Sequence, residues 1–242
     1  MNRINSSWVL VLLFICLQSS AQQNFKDVYL LFDKTVGYEN TVLLNGIENI
    51  DPEKTINSKN KFLNSSSDFT VGSITYDGQY FPEIAMRFNL VDDEVLVRLP
   101  IDKAFTTFKL ITRKIESFEI SGHYFIKLNV ISETDELSGF YEQFFKSGNF
   151  RLLKKFRKKG DKELDKNFLY YEYKFKKPSY HFWYKENYYS ANSRRNLFAI
   201  FPSISKEIRS FYKDRRNVRK KNPDKFMEQL FVEITNLLNL EK

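Results

Sequence analysis

Six cations fall within the nine residues 213–221 of the stretch FYKDRRNVRKKNPDKF (211–226): Lys213, Arg215, Arg216, Arg219, Lys220 and Lys221, with Asp214 the single acid among them. A cluster this dense attracts anions through a field that salt screens. Its candidate partners are an envelope protein with acidic groups, an acidic glycan and an anionic lipid surface. Nucleic acid is not expected, because no zinc-finger spacing, basic zipper or RNA-recognition signature accompanies the charge. The competing reading is a solvated helix end, since cations in the last turn of a helix are favoured by its dipole.

Few other residues offer chemistry. The two histidines, His123 and His181, lie beside aromatics in strand-like stretches, and no G-x-S-x-G elbow is present. Nucleophilic catalysis of the Ser-His-Asp type therefore lacks its frame. Two histidines without H-x-x-x-H spacing do not make a zinc site, and the eight glycines form no phosphate loop. No catalytic residue, metal ligand or cofactor is expected. Carboxylates are harder to set aside, because glycoside hydrolysis needs only two acids at the right separation and leaves no local motif. Asp77, Asp92, Asp93 and Glu94 fall near expected hairpin ends, where turn chemistry already accounts for aspartate. Glu142 interrupts the apolar run GFYEQFF; facing inward it is costly unless paired, and facing outward it is merely solvated. The leading reading is a non-enzymatic binding or interaction module, and the alternative is a carboxylate-dependent hydrolase acting on envelope glycans.

Which partners are in reach depends on where the chain goes. Residues 1–21, MNRINSSWVLVLLFICLQSSA, combine a cation at Arg3, an apolar run from Trp8 to Leu17 and a small-residue ending before Gln22. That is the pattern of a secretory signal peptide cleaved after Ala21, and the run of about ten apolar residues is half of what a bilayer-spanning helix needs. Periplasmic or secreted localisation, with association to the cell envelope as an option, is the expectation. Cys16, the single cysteine, leaves with the leader. The mature chain then has no disulfide, thiolate metal site or cysteine nucleophile. The formal charge of the whole chain is +8; loss of Arg3 leaves 37 cations against 30 carboxylates. A basic exported protein meets anionic lipid heads, acidic glycans or acidic proteins first.

The elements that must position these groups are strands for most of the length, and the 24 Phe and 14 Tyr suit them. Residues 22–69 are weakly patterned. From residue 70, Ile84, Met86, Phe88 and Leu90 alternate on one strand face and Val95, Val97 and Leu99 on that of the next. Asp77-Gly78, Ser121-Gly122 and 147–149 read as hairpin turns. A polar loop, GDKELDKN, is expected before the aromatic strands FLYYEYKF and YHFWYKENYY, which could also stack a sugar ring. At Ser193 the period becomes helical: Ser193 caps a helix that Pro202 ends, a second helix starts at Ser203, and Asn222-Pro223-Asp224 starts a third. The cationic run is expected at the end of the second helix and in the loop before the third. The stripe Met227, Leu230, Phe231, Ile234, Leu237 and Leu238 is expected to pack on the sheet.

The block GSITYDGQYFPEIAMRFNLVDDEVLV, the hairpin GFYEQFFKSGNFRLLKKFRKK and the ending ENYYS…RRNLFAIFPSISKEI…NPDKFMEQL together resemble a family of uncharacterised secreted proteins of Bacteroidota-type bacteria. The resemblance implies export and one β-rich architecture, and it transfers no catalytic residue. The expected fold is α+β: an antiparallel β-meander over 70–192, open or curled to a half-barrel, with a helical segment of two to three helices over 193–242 packed on the same domain. A transmembrane barrel fits the helical ending and the charged strands poorly.

Overall fold

The computed structural model describes residues 26–32, 35–50, 59–101, 103–131, 136–165 and 168–240. The expected leader lies outside them. Alternating apolar residues and left-handed turns build a meander of four strands: β2 (Thr70–Tyr76), β3 (Gln79–Asn89), β4 (Glu94–Ile101) and β5 (Ala104–Lys109). Its outer edge takes β1 (Ile47–Glu48) from the weakly patterned N-terminal segment, which also contributes a helix, α1 (26–32). Asp77 and Gly78 adopt φ of 53° and 79°, and Ser121 and Gly122 adopt 55° and 77°. Paired positive φ is what a two-residue turn needs to match strand twist.

The chain then returns to the free edge of β2 and meanders the other way through β6 (Ile115–Ile120), β7 (His123–Ile131), β8 (Glu136–Ser147) and β9 (Phe150–Lys155). β12 (Ser179–Tyr184) and β13 (Asn187–Ser190) complete an eleven-stranded antiparallel sheet in the order β1-β5-β4-β3-β2-β6-β7-β8-β9-β12-β13. The sheet stays open, with β1 and β13 as its edges. Between β9 and β12 the chain leaves the sheet as a two-stranded ribbon, β10 (Lys158–Asp165) and β11 (Phe168–Phe175), paired residue by residue. Residues 160–165 of the expected polar loop are therefore part of a strand. Its lack of apolar alternation reflects a ribbon without a buried face at its tip, where the cross-strand pair Leu164 and Leu169 is exposed.

The helical ending has four helices: α2 (Arg194–Ile200), α3 (Ser205–Asp214), α4 (Arg216–Lys221) and α5 (Pro223–Leu240). Two caps fall where the sequence put them, with Ser193 Oγ accepting from Asn196 N at 3.2 Å and Asn222 Oδ1 from Lys225 N at 3.0 Å; the helix expected from Ser203 starts instead at Ser205, after Ile204, which makes no side-chain cap bond. The cationic run is not a loop. Residues 215–221 contain no glycine or proline to break a helix, Arg and Lys are good helix formers, and half-buried Val218 anchors α4 to the helical core.

Two large hydrophobic clusters divide the sheet, and a small third one gathers Leu128, Leu137, Tyr141 and Leu153. One, under β2–β8, centres on Phe88, whose ring meets Phe118, Phe125 and Phe140 edge-on at 5.0–5.7 Å. The other joins β9 and β12 to α2–α5 through Phe150, Phe182, Phe201 and Phe231, and it takes the whole α5 stripe.

Three lysines close together in β9 and β10 are buried: Lys154 at 8%, Lys155 at 6% and Lys158 at 5% exposure. Lys155 Nζ donates to Asp93 Oδ2 at 2.5 Å, and the same oxygen accepts Phe140 N at 3.0 Å. The β3–β4 turn is thereby tied to β8, across Gly139 at φ 88°, where a Cβ would sit 1.7 Å from Asp93 Oδ2. Lys158 Nζ donates to Asn60 O at 2.8 Å, Phe62 O at 2.5 Å and Ser65 Oγ at 3.0 Å, beneath the Phe175 ring. No carboxylate among the described residues lies within 4 Å of it, and burial pushes its ammonium down to about 8. Between about 8 and its ordinary value of 10.5 the unfolded chain holds the proton more tightly than the folded one, so stability rises with pH there. Urea unfolding of the wild type against Lys158→Met between pH 7.5 and 9.5 should show the wild type gaining about 2 kcal/mol relative to the variant; parallel pH profiles would contradict the burial cost.

Candidate functional site

A row of polar side chains runs across the sheet between the two clusters. Strand register places Phe125 opposite Glu142, Glu142 opposite Lys154 and Lys154 opposite Tyr180, so one line crosses β7, β8, β9 and β12 on one face. His123 lies two residues from Phe125 and therefore shares that face. Glu142 does face inward, at 6% exposure, and it is paired. His123 Nδ1 is bonded to its Oε1 at 2.5 Å, and Lys154 Nζ lies 3.9 Å from its Oε2.

The α5 cap supplies the last member. Asp224, in the first turn, accepts Lys154 Nζ at 2.6 Å on Oδ2 and the Tyr180 hydroxyl at 2.5 Å on Oδ1. Lys154 also lies 4.2 Å from the Phe156 ring centroid. Burial, and then the bond to Asp224, raise the Tyr180 hydroxyl far above the ordinary tyrosine range, so it stays protonated and donates.

This arrangement is an anchor rather than an acid–base pair. Glycoside hydrolysis needs two carboxylates facing each other across space for a sugar and a water. Here an ammonium lies between Glu142 and Asp224, and no hydroxyl nucleophile among the described residues is bonded to His123. The hairpin acids are likewise engaged. Asp77 is bonded to Lys114 at 2.6 Å, Asp92 to Asn89 at 2.8 Å, Asp93 to Lys155 and Glu94 to Lys109 at 3.0 Å. His181 is buried edge-on to Tyr141. Among the described residues no group of three or more His, Cys, Asp or Glu could hold a metal ion.

What the anchor positions is a cleft of about 750 Å³ between β12 and the helices. Tyr180 belongs to both. Ala191, Phe226 and Met227 contribute apolar lining, Tyr212 adds a ring, and Arg219, Lys220 and Lys177 supply positive charge. The Arg219 guanidinium lies over the Tyr212 ring at 5.3 Å. Among the described residues no carboxylate lies within 4 Å of these three cations.

All six cations of 213–221 are exposed. Arg219 and Lys220, adjacent on α4, line the cleft, whereas Lys213, Arg215, Arg216 and Lys221 do not. Asp214 accepts from Ser210 rather than from any of them. Lys177 was missed by sequence reasoning; its signal is the KKP step between β11 and β12, which lines the same cleft as α4. The aromatic strands do not form one stacking face, because β11 leaves with the ribbon while Phe182 of β12 enters the helical core.

If Lys154 and Asp224 act as a pair, removing either strands the other. Asp224→Asn and Lys154→Met should each destabilise the chain by about 2 kcal/mol, and the double variant by about 2 kcal/mol less than their sum. Additive losses in chemical denaturation would show that the contact does not hold the helices.

No protein-family model matches the chain, and no curated protein or solved structure matches it significantly.

Proposed function

We propose that the chain is an exported, non-enzymatic binding module whose cleft between β12 and α3–α5 takes acidic groups of a partner. The observation that carries this reading is the convergence of Lys177, Arg219 and Lys220 on one concavity without a carboxylate to neutralise them. Unpaired cations held around a partly apolar floor attract anions more effectively than the same charges on a convex helix, because field lines focus in a low-dielectric cleft. Export is supported by the leader pattern of residues 1–21 and by the resemblance of the strand and turn motifs to secreted Bacteroidota-type proteins. No helix of the described residues is long and apolar enough to cross a membrane. Concavity favours an acidic group that projects from its carrier over a flat lipid surface.

Fluorescein-labelled hexaglutamate, titrated at low and moderate salt, tests this reading. Arg219→Ala/Lys220→Ala should weaken binding about tenfold, or about 1.4 kcal/mol, whereas Lys213→Ala/Arg216→Ala should weaken it less than about threefold, the effect of general charge alone. Equal losses in the two variants, or no binding by the wild type, would overturn the assignment to the cleft.

A further inference from the structure

The ribbon β10–β11 stands apart from the main sheet, and among the described residues both of its outer edges are unpaired. A two-stranded ribbon is at best marginally stable in water, and a free edge is a template for another strand. The two sides of β11 differ. Tyr171, Tyr173 and Phe175 alternate onto one side, where the Tyr171 and Tyr173 rings stack at 6.2 Å and Phe175 is 52% exposed. Glu172 and Lys174 occupy the other, with Glu172 bonded to Lys59 at 2.6 Å and the Lys174 side chain 64% exposed.

Symmetry and charge distinguish the two edges. A two-fold axis perpendicular to a sheet keeps each side chain on its own side, so a strand paired antiparallel with its own copy is centred on one residue that faces its equivalent. On β10 every centre from Lys159 to Glu163 opposes like charges. Lys159, Asp161, Lys162 and Glu163 would each face the same residue of the second copy, and centring on Gly160 sets Lys158 against Lys162. β11 has a centre that does the reverse. About Tyr173, Glu172 of each copy faces Lys174 of the other, and Tyr171 of each faces Phe175 of the other. Opposite charges and aromatic pairs across strands stabilise a sheet, whereas like charges directly opposite destabilise it.

We propose that two copies of the chain associate through β11, edge to edge and antiparallel about Tyr173, in a four-stranded sheet held across the axis by two Glu172–Lys174 pairs. The occupant is a second copy rather than a foreign strand because the charges of this edge complement themselves. Within β11 only residues 171–175 of the two copies pair, so the dimer is weak and its population depends on concentration.

Sedimentation velocity of the protein over a wide range of concentration tests it. The wild type should pass from monomer to dimer as concentration rises, and less readily at high salt. Lys174→Glu, a reversal on an exposed side chain, should weaken the dimer at least about tenfold, because each Glu172 then faces a carboxylate. Glu172→Lys should do the same. An equimolar mixture of the two variants should restore the dimer, since every facing pair is then of opposite charge. Thermal melts check that each variant folds; Glu172→Lys gives up the bond to Lys59, and if it does not fold, Lys174→Glu decides alone. A wild type that stays monomeric, a Lys174→Glu dimer as strong as that of the wild type, or a mixture of folded variants no tighter than its components would overturn the proposal.

Discussion

A buried ammonium cannot be left without partners, and this chain buries three within five residues. Lys154, Lys155 and Lys158 point to different neighbours: the first two tie elements remote in sequence to β9, and the third ties one to the start of the ribbon. Lys155 holds the β3–β4 turn through Asp93, and Lys158 holds the carbonyls of the segment after residue 59. Lys154 holds the start of α5 through Asp224, across 70 residues. The Lys154 and Lys155 tethers persist because breaking either pair leaves an unpaired charge in a low-dielectric interior, which costs more than the pair contributes, whereas Lys158 is held by neutral acceptors alone.

The Lys154 tether links fold to site. Hydrophobic burial of the α5 stripe does not by itself specify where along the sheet the helix begins, since apolar contacts are non-directional. The bonds from Lys154 and Tyr180 to the two oxygens of Asp224 do, because they fix the first turn of α5 over β9 and β12. Asn222 caps that turn, α4 precedes it directly, and Arg219 and Lys220 thereby line the same cleft as Lys177. The cleft is thus the space left between a sheet and a helix whose origin is pinned by a buried charge. Chemistry at the pinning groups themselves is unnecessary, and Lys154 neutralises the carboxylates that would otherwise resemble an acid pair.

Much of this architecture was legible in the sequence. The alternation of Ile84, Met86, Phe88 and Leu90 and the Asp77-Gly78 turn stand in the structure as read, because period and turn chemistry are local properties. So does the α5 stripe. The long-range consequences of charge were not legible. The run KKFRKK carries no local sign of burial, and nothing within it says that Lys154 and Lys155 meet acids 70 and 62 residues away. Likewise, the run 213–221 announced a charge cluster but not which of its members face a concavity; that division is set by the direction of α4. Lys177 joins it only through tertiary packing. The ribbon was misread in part because a strand without a buried face carries no apolar period.

The hollow beside the Lys154–Asp224 anchor is the proposed seat of acidic groups. Amide hydrogen exchange of the protein, alone and saturated with hexaglutamate, tests this without altering a residue. Slowed exchange in α4, in the first turn of α5 and over residues 177–180, with the β3–β4 turn and the β10–β11 ribbon unchanged, is the predicted result. Protection confined to other parts of the chain, with the cleft unaffected, would contradict it.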